Sequence, residues 1–309
     1  MRLRAKGTRA GFTLIELSFA IAFISVLLIT VTLITNEIVS IYRKGYSIKT
    51  VNQVGRDLID DIQNSITQSP PASISSFCGA NYDENAQDNC KKNNGFYSVY
   101  QQFYVNATIN NSELSSHYVP IGGIFCSGKY SYVWNSGYLF NGDNDYNLGR
   151  SANDLKLKVK YKIGSSGQWT TAENFRLLKI EDSSREICSA TLTGPNGYPS
   201  TNVPLVAPGT VTGNNREVEV PSPLSNEPED ILRENDASLA IFDFVVFEPA
   251  RVANTNRLLF SGSFILGTTT GSVDIMTSSN FCKAPTNFSA DFNYCAINKF
   301  NFTVQASGN

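Results

Sequence analysis

Gly11-Phe12-Thr13-Leu14-Ile15-Glu16-Leu17 opens an apolar run in which the next charge after Glu16 is Glu37. Residues 12–35 number 24, and as a helix rising ~1.5 Å per residue they cover ~36 Å. That length crosses the hydrocarbon core of a bilayer. Arg2, Arg4, Lys6 and Arg9 precede the run, so the positive-inside bias places the N-terminus in the cytoplasm and residues from 37 onward outside. A secretory signal peptide and an uncleaved signal anchor share these features. Neither explains Glu16. A carboxylate five residues into an apolar run is expensive in lipid and by default has a partner and a purpose. Nor does Thr35-Asn36-Glu37 resemble the small-residue cleavage site that ends a signal peptide.

Helical periodicity continues beyond the apolar run. Ile38, Ile41, Ile48, Val51, Val54, Leu58, Ile62 and Ile66 recur at spacings of three, four or seven, as on one face of a helix. Charged and polar residues, among them Arg43, Lys44, Arg56, Asp57, Asp60 and Asp61, fill most of the other positions. One helix over residues 12–66 is predicted, ~80 Å long. Pro70-Pro71 ends it. Gly45 and Gly55 are bend or close-packing points within it.

The basic leader ending in Gly11, then Phe12, then Glu16 within Phe-Thr-Leu-Ile-Glu-Leu, resembles the prepilin signal of type IV pilins and of the pseudopilins of type II secretion and competence systems. The resemblance is specific over residues 7–17, looser to about residue 66, and absent beyond. It implies cleavage between Gly11 and Phe12 by a membrane prepilin peptidase, methylation of the new amine, and a processed chain of 298 residues. It also implies a role for Glu16: its carboxylate pairs with the Phe12 amine of a neighbouring subunit inside a packed helix bundle. Two charges that are costly alone in the membrane are then cheaper together. The implied fold is α+β and pilin-like, a long N-terminal helix packed on an antiparallel β-sheet head with long loops. The implied partners are other pilin subunits, the peptidase and the assembly platform in the membrane. A head of roughly 240 residues (67–309) is more like the larger minor pilins than a typical major pilin. A pseudopilin and a tip adhesin are the alternatives. The expected location is the cytoplasmic membrane as a single-pass N-in precursor, then an extracellular pilus.

The formal charge is −2, and loss of the four leader cations makes the processed chain −6. This argues against nucleic-acid binding through a broad basic surface. All six cysteines, Cys78, Cys90, Cys126, Cys188, Cys282 and Cys295, follow the membrane segment, on the side where disulfides persist. An even number there reads as three bridges. Cys78 and Cys90 lie twelve apart and Cys282 and Cys295 thirteen apart, spacings that suit local loops; a C-terminal loop closed in this way also resembles the pilin head. Those two bridges leave Cys126 with Cys188, one of the fifteen connectivities six cysteines permit.

Strand-like alternation of aromatic or β-branched with polar residues marks residues 96–105, 117–125, 130–140, 155–163, 175–180 and 186–192, separated by Asn/Gly/Ser clusters as in an antiparallel meander. Residues 195–228 hold seven of the twelve prolines and are expected to be an irregular surface excursion outside the core. Residues 239–247 and 258–266 are the most apolar pair outside the membrane segment, expected at the centre of the head with one of them against the helix. Residues 296–304 are expected to be a final strand.

Evidence for catalysis is poor, and no enzyme activity is expected. His117 is the sole histidine, and neither a phosphate-binding glycine loop nor a Gly-x-Ser-x-Gly elbow occurs. Asp143, Asp145, Asn147 and Asp154 approach the ligand spacing of a calcium-binding EF-hand loop. However, the glycine comes one position late, at Gly149, and the last ligand is Asp rather than Glu. A turn between strands accounts for the same residues, and no other cofactor is expected.

Overall fold

In a computed structural model of the chain, the residues described are 13–68, 100–109, 117–127, 129–140, 146–147, 152–165, 167–182, 187, 217–220, 222–232, 239–247, 250–251, 258–269 and 296–306. The first element is a single helix, α1, Leu14–Thr67, of 54 residues. It is uninterrupted because the sequence places no proline within it. Its two halves have opposite surroundings. Residues 13–39 and 41–46 are all exposed, including Leu14, Phe19, Phe23 and Leu33. From Val51 onward the periodic face is buried, with Val51, Leu58, Ile62 and Ile66 in the main apolar cluster.

Thirteen strands follow among the described residues. β1 (Tyr100–Ile109), β2 (His117–Cys126), β3 (Tyr130–Asn135), β4 (Tyr146–Asn147), β7 (Leu177–Glu181) and β9 (Glu229–Asp230) form a six-stranded sheet in the order β4-β1-β2-β3-β7-β9. β5 (Lys158–Tyr161) lies between β6 (Thr170–Ala172) and β8 (Glu217–Glu219). β12 (Leu258–Thr268) is central in the last sheet, paired with β10 (Leu239–Val246), β11 (Ala250–Arg251) and β13 (Ile297–Gln305). The pairings are antiparallel apart from β5 with β8 and two isolated bridges, Ser136–Ile241 and Ile163–Leu224.

The six-stranded sheet is a middle layer because its strands alternate apolar residues to both faces. Phe125, Tyr132, Trp134 and Leu177 face the cluster shared with α1, β10, β12 and β13. Ile124, Cys126, Val133, Leu178 and Ile180 face a second cluster closed by Val159, Tyr161 and Val218 of the three-stranded sheet. Asn135, fully buried, joins these layers: its amide donates to the carbonyls of Leu157 and Phe175, both at 3.1 Å, and its oxygen accepts from Leu157 N–H at 2.6 Å. An irregularity in β10 between Ile241 and Asp243 breaks the alternation. Ile241 and Phe244 thereby both face the main cluster, while Phe242 packs with Ile265 and Tyr138.

Two expectations need correction. Residues 195–228 are not wholly a surface excursion: Glu217–Glu219 is a strand, and Val218, Val220 and Leu224 are buried in the second cluster. Parallel pairing to β5 brings them there; residues 195–216 lie outside the described set. The run at residues 130–140 is not one strand either, since β3 ends at Asn135 and a 3-10 turn, Gly137–Leu139, follows. The central apolar pair appears as β10 and β12, and β12 lies against α1 as expected, although α1 makes its most extensive contact with β13. Phe300 lies so near Gly55 that a Cβ on that glycine would fall 2.2–2.5 Å from three ring carbons.

Candidate functional site

The feature that separates this chain from an ordinary globular head is α1. It is long and apolar enough to cross a membrane, and its polar side chains are suited to lipid. Ser18, Ser25, Thr30, Thr32 and Thr35 each donate to a backbone carbonyl one turn back, at 2.7–2.8 Å. A hydroxyl satisfied within its own helix exposes little unmet polarity to hydrocarbon.

Glu16 lies in the first turn. Its Oε2 accepts from Thr13 N–H and from Thr13 Oγ1–H, both at 2.9 Å, and Glu16 N–H donates back to Thr13 Oγ1 at 3.4 Å. This is a capping box. Thr13 and Glu16 thus satisfy reciprocal donors at the helix start. The Thr-x-x-Glu spacing was legible in the sequence as a cap, a role that assembly pairing alone overlooks. Gly11 and Phe12 lie outside the described residues.

Below the exposed half, α1 is fastened to the middle sheet by polar groups that periodicity did not reveal. Tyr132 donates to Asp61 Oδ2 at 2.8 Å, and Lys179 Nζ donates to Asp61 Oδ1 at 2.5 Å. Lys179 also lies over the Tyr130 ring, 4.2 Å from its centroid. One turn on, the buried Ser65 hydroxyl meets that of Ser127. On the other side, Gln63 donates to the Thr303 carbonyl at 3.1 Å and Asn298 to Asn52 at 2.6 Å. The helix is therefore tied to strands at both edges of its buried face.

Burial, followed by the nearby Asp61 carboxylate, pushes the Tyr132 phenol far above the usual tyrosine value of 10.0. In the unfolded chain Tyr132 ionises near that usual value, whereas in the fold it stays protonated. Its contribution is complete below about pH 10 and is lost as the pH rises beyond it. Tyr132→Phe is expected to cost about 1–3 kcal/mol at neutral pH, through the lost hydrogen bond to a charged group. It should also flatten the alkaline loss. Urea denaturation at ~pH 8 and ~pH 11 measures both; a variant that loses as much stability between the two as the parent contradicts this role.

Cys126 is buried and disulfide-bonded; the other five cysteines lie outside the described residues. Ile187, next to Cys188 in sequence, is buried in the same cluster as Cys126. Its N–H donates to Asp182 Oδ2 at 3.0 Å, and Asp182 accepts from Ser131 at 2.8 Å. Ser131 is the cross-strand partner of Cys126. Cys188 itself lies outside the described residues, and its pairing with Cys126 is what the two local loops imply. Non-reducing peptide mapping should recover Cys126 linked to Cys188; linkage to any other cysteine refutes the pairing.

Of the candidate calcium ligands, Asp143 and Asp145 lie outside the described residues. Asn147 pairs with Thr108 in the β1–β4 ladder. Asp154 is exposed in a single helical turn, Ala152–Leu155. Among the described residues no group of three or more His, Cys, Asp or Glu side chains is placed to hold a metal. Comparison with protein-family models, with curated proteins and with solved structures finds no match.

Proposed function

We propose that this chain is a structural subunit of a type IV pilus of the minor-pilin kind, acting in filament priming, at the tip or in assembly. The observation that carries this reading is the division of α1: one half is built into a β-rich head, and the other is an uncovered apolar rod in which Glu16 is the one charge from Leu14 to Asn36. A globular head needs no such rod. A membrane before assembly and a bundle of like helices after it would each cover the rod.

In this reading the peptidase cuts after Gly11, Phe12 is methylated, and the new amine pairs with Glu16 of a neighbouring subunit. The partners are other pilin subunits and the membrane assembly platform, and the chain moves from the cytoplasmic membrane to an extracellular filament. The pilin-like arrangement of the head belongs to the same proposal. It is supported by α1 lying against β13 and β12, with Phe300 and Phe264 in the cluster that receives Leu58 and Ile62.

Glu16→Gln separates pairing from capping. Glutamine preserves a capping box but leaves a subunit amine without its counter-charge. Losing one partner of a buried pair costs about 3–5 kcal/mol, so the variant's share of sheared filaments is expected to fall at least about a hundredfold. Cleavage after Gly11 should be unaffected. Incorporation equal to the parent's would show that Glu16 acts only as a cap, and pairing would be abandoned.

A further inference from the structure

The three-stranded sheet lies on the side of the middle sheet away from α1. Its inner face, with Val159, Tyr161 and Val218, closes the second apolar cluster, so strand alternation turns Lys158, Lys160 and Lys162 to its outer face. Lys158 is matched there by Glu173, and Lys160 by Glu217 and Glu219. Lys162 has no such acid among the described residues. Its Nζ lies 4.1 Å from the centroid of the Trp169 ring, and Lys160 Nζ lies 4.7 Å from the same centroid. The indole N–H of Trp169 also has no acceptor among the described residues.

Trp169 is not a core residue. It belongs to neither of the two large apolar clusters and is 39% exposed, whereas Trp134 is buried. The hairpin that carries it is held in place. Gly164 N–H donates to the Leu224 carbonyl at 3.1 Å and Leu224 N–H to the Lys162 carbonyl at 2.8 Å, while Gly167 N–H closes the turn on the Gly164 carbonyl at 3.2 Å. Leu224 is buried, so these bonds anchor the turn to the core. Gly164 has φ 66°, a left-handed conformation that glycine adopts without steric cost. The ring and the cation are thus presented ready-formed, and a ligand need order little of the chain.

We infer that Trp169 and Lys162 form a binding site for an acidic saccharide, a pyranose ring bearing a carboxylate. An indole face is electron-rich, and the C–H face of a pyranose, whose hydrogens carry partial positive charge, stacks on it. The Lys162 ammonium supplies a charge-assisted hydrogen bond to the carboxylate, and the indole N–H donates to a ring hydroxyl. Charge complementarity selects an acidic sugar over a neutral one, because Lys162 is the lysine of this face that no glutamate matches. Glu173, Glu217 and Glu219 limit the site to one acidic unit: they would repel the successive charges of a polyanion such as nucleic acid. The assignment concerns the head alone and does not rest on the pilus reading.

The test is a titration followed in 1H–15N correlation spectra of the full chain in detergent micelles, at about pH 7 and constant ionic strength set with sodium chloride. Two tryptophans give two indole N–H resonances. Trp169→Phe assigns them, and a soluble paramagnetic agent, which broadens the exposed indole first, assigns them if that variant does not fold. Separate arms add methyl glucuronide, methyl glucoside, sodium acetate and a blocked peptide containing one glutamate. The expected result is saturable movement of the Trp169 resonance by methyl glucuronide, half-complete in the range of about 1–30 mM, with the Trp134 resonance unmoved. Methyl glucoside should act at least about fivefold more weakly, and Lys162→Gln should reduce the glucuronide to the level of the glucoside. A Trp169 resonance that no arm moves overturns the site. Equal movement by glucoside overturns the acidic assignment. Equal movement by acetate would mean an adventitious ion only, and equal movement by the peptide would give the surface to acidic side chains; either overturns the saccharide. So does glucuronide binding that Lys162→Gln leaves unchanged. The parent-chain arms remain decisive if Lys162→Gln does not fold.

Discussion

Replacing Phe244 by alanine is expected to destabilise the head by about 3–5 kcal/mol, the range for truncating a buried phenylalanine. The ring stands between the two larger sheets. Its centroid lies 5.7 Å from Phe125 and from Trp134 on the middle sheet, and 5.9 Å from Phe264 and 6.2 Å from Phe302 on the other. Aromatic contacts of this geometry add to the transfer term of the lost carbons, and no single neighbour can fill the space from both sides. Thermal unfolding of the detergent-solubilised chain, followed by tryptophan fluorescence, should show the loss, because Trp134 borders the cavity. A change below about 1 kcal/mol would mean that the two sheets do not share one core.

A second large effect is expected at Gly55, where local and tertiary preferences oppose each other. Leucine is the better helix former by up to ~1 kcal/mol, so an isolated α1 would gain from Gly55→Leu. In the folded chain the first added carbon already collides with the Phe300 ring. That ring is buried and stacked on Phe264 at 5.3 Å, so it has little freedom to withdraw. Overpacking typically costs 1–3 kcal/mol and sometimes more. With a whole side chain to accommodate, a net loss of about 3 kcal/mol is expected. For a head of this size that lowers the melting temperature by roughly 6–12 °C. The double variant Gly55→Leu with Phe300→Ala should recover part of the loss; an unchanged or higher melting temperature for Gly55→Leu alone would contradict the seating of α1 on β13.

The two glycines singled out in the helix show how far the residue pattern could reach. Both were legible as bend or packing points. Only the fold distinguishes them: Gly45 faces open space, and Gly55 meets a ring. The helix itself was readable because its apolar spacing persists for many turns, and β10 and β12 because few polar residues interrupt them. β8 was not, because its three residues lie inside a proline-rich stretch and become a strand only through parallel pairing with β5. Asn135 was read only as one position of a strand over residues 130–140, yet it is a buried amide hydrogen-bonded between layers. The ties at Asp61 and Ser65 were hidden for another reason. Their partners, Tyr132, Lys179 and Ser127, are more than sixty residues away, and a helix face with several acids gives no sign which one is engaged. At the N-terminus the motif was plain, but one carboxylate serves a cap in the single chain and, in the proposed assembly, a second subunit.

The measurement that bears most directly on the central claim is the intact mass and N-terminal sequence of this chain, taken from sheared surface filaments and separately from membranes. A chain of 298 residues beginning with methylated Phe12, present in the filament fraction, is the predicted result. Its abundance relative to the other subunits would distinguish a minor from a major component. A chain found only in membranes and still beginning at Met1 would contradict the account, because Glu16 would then have no processed amine to meet and α1 would be a signal anchor.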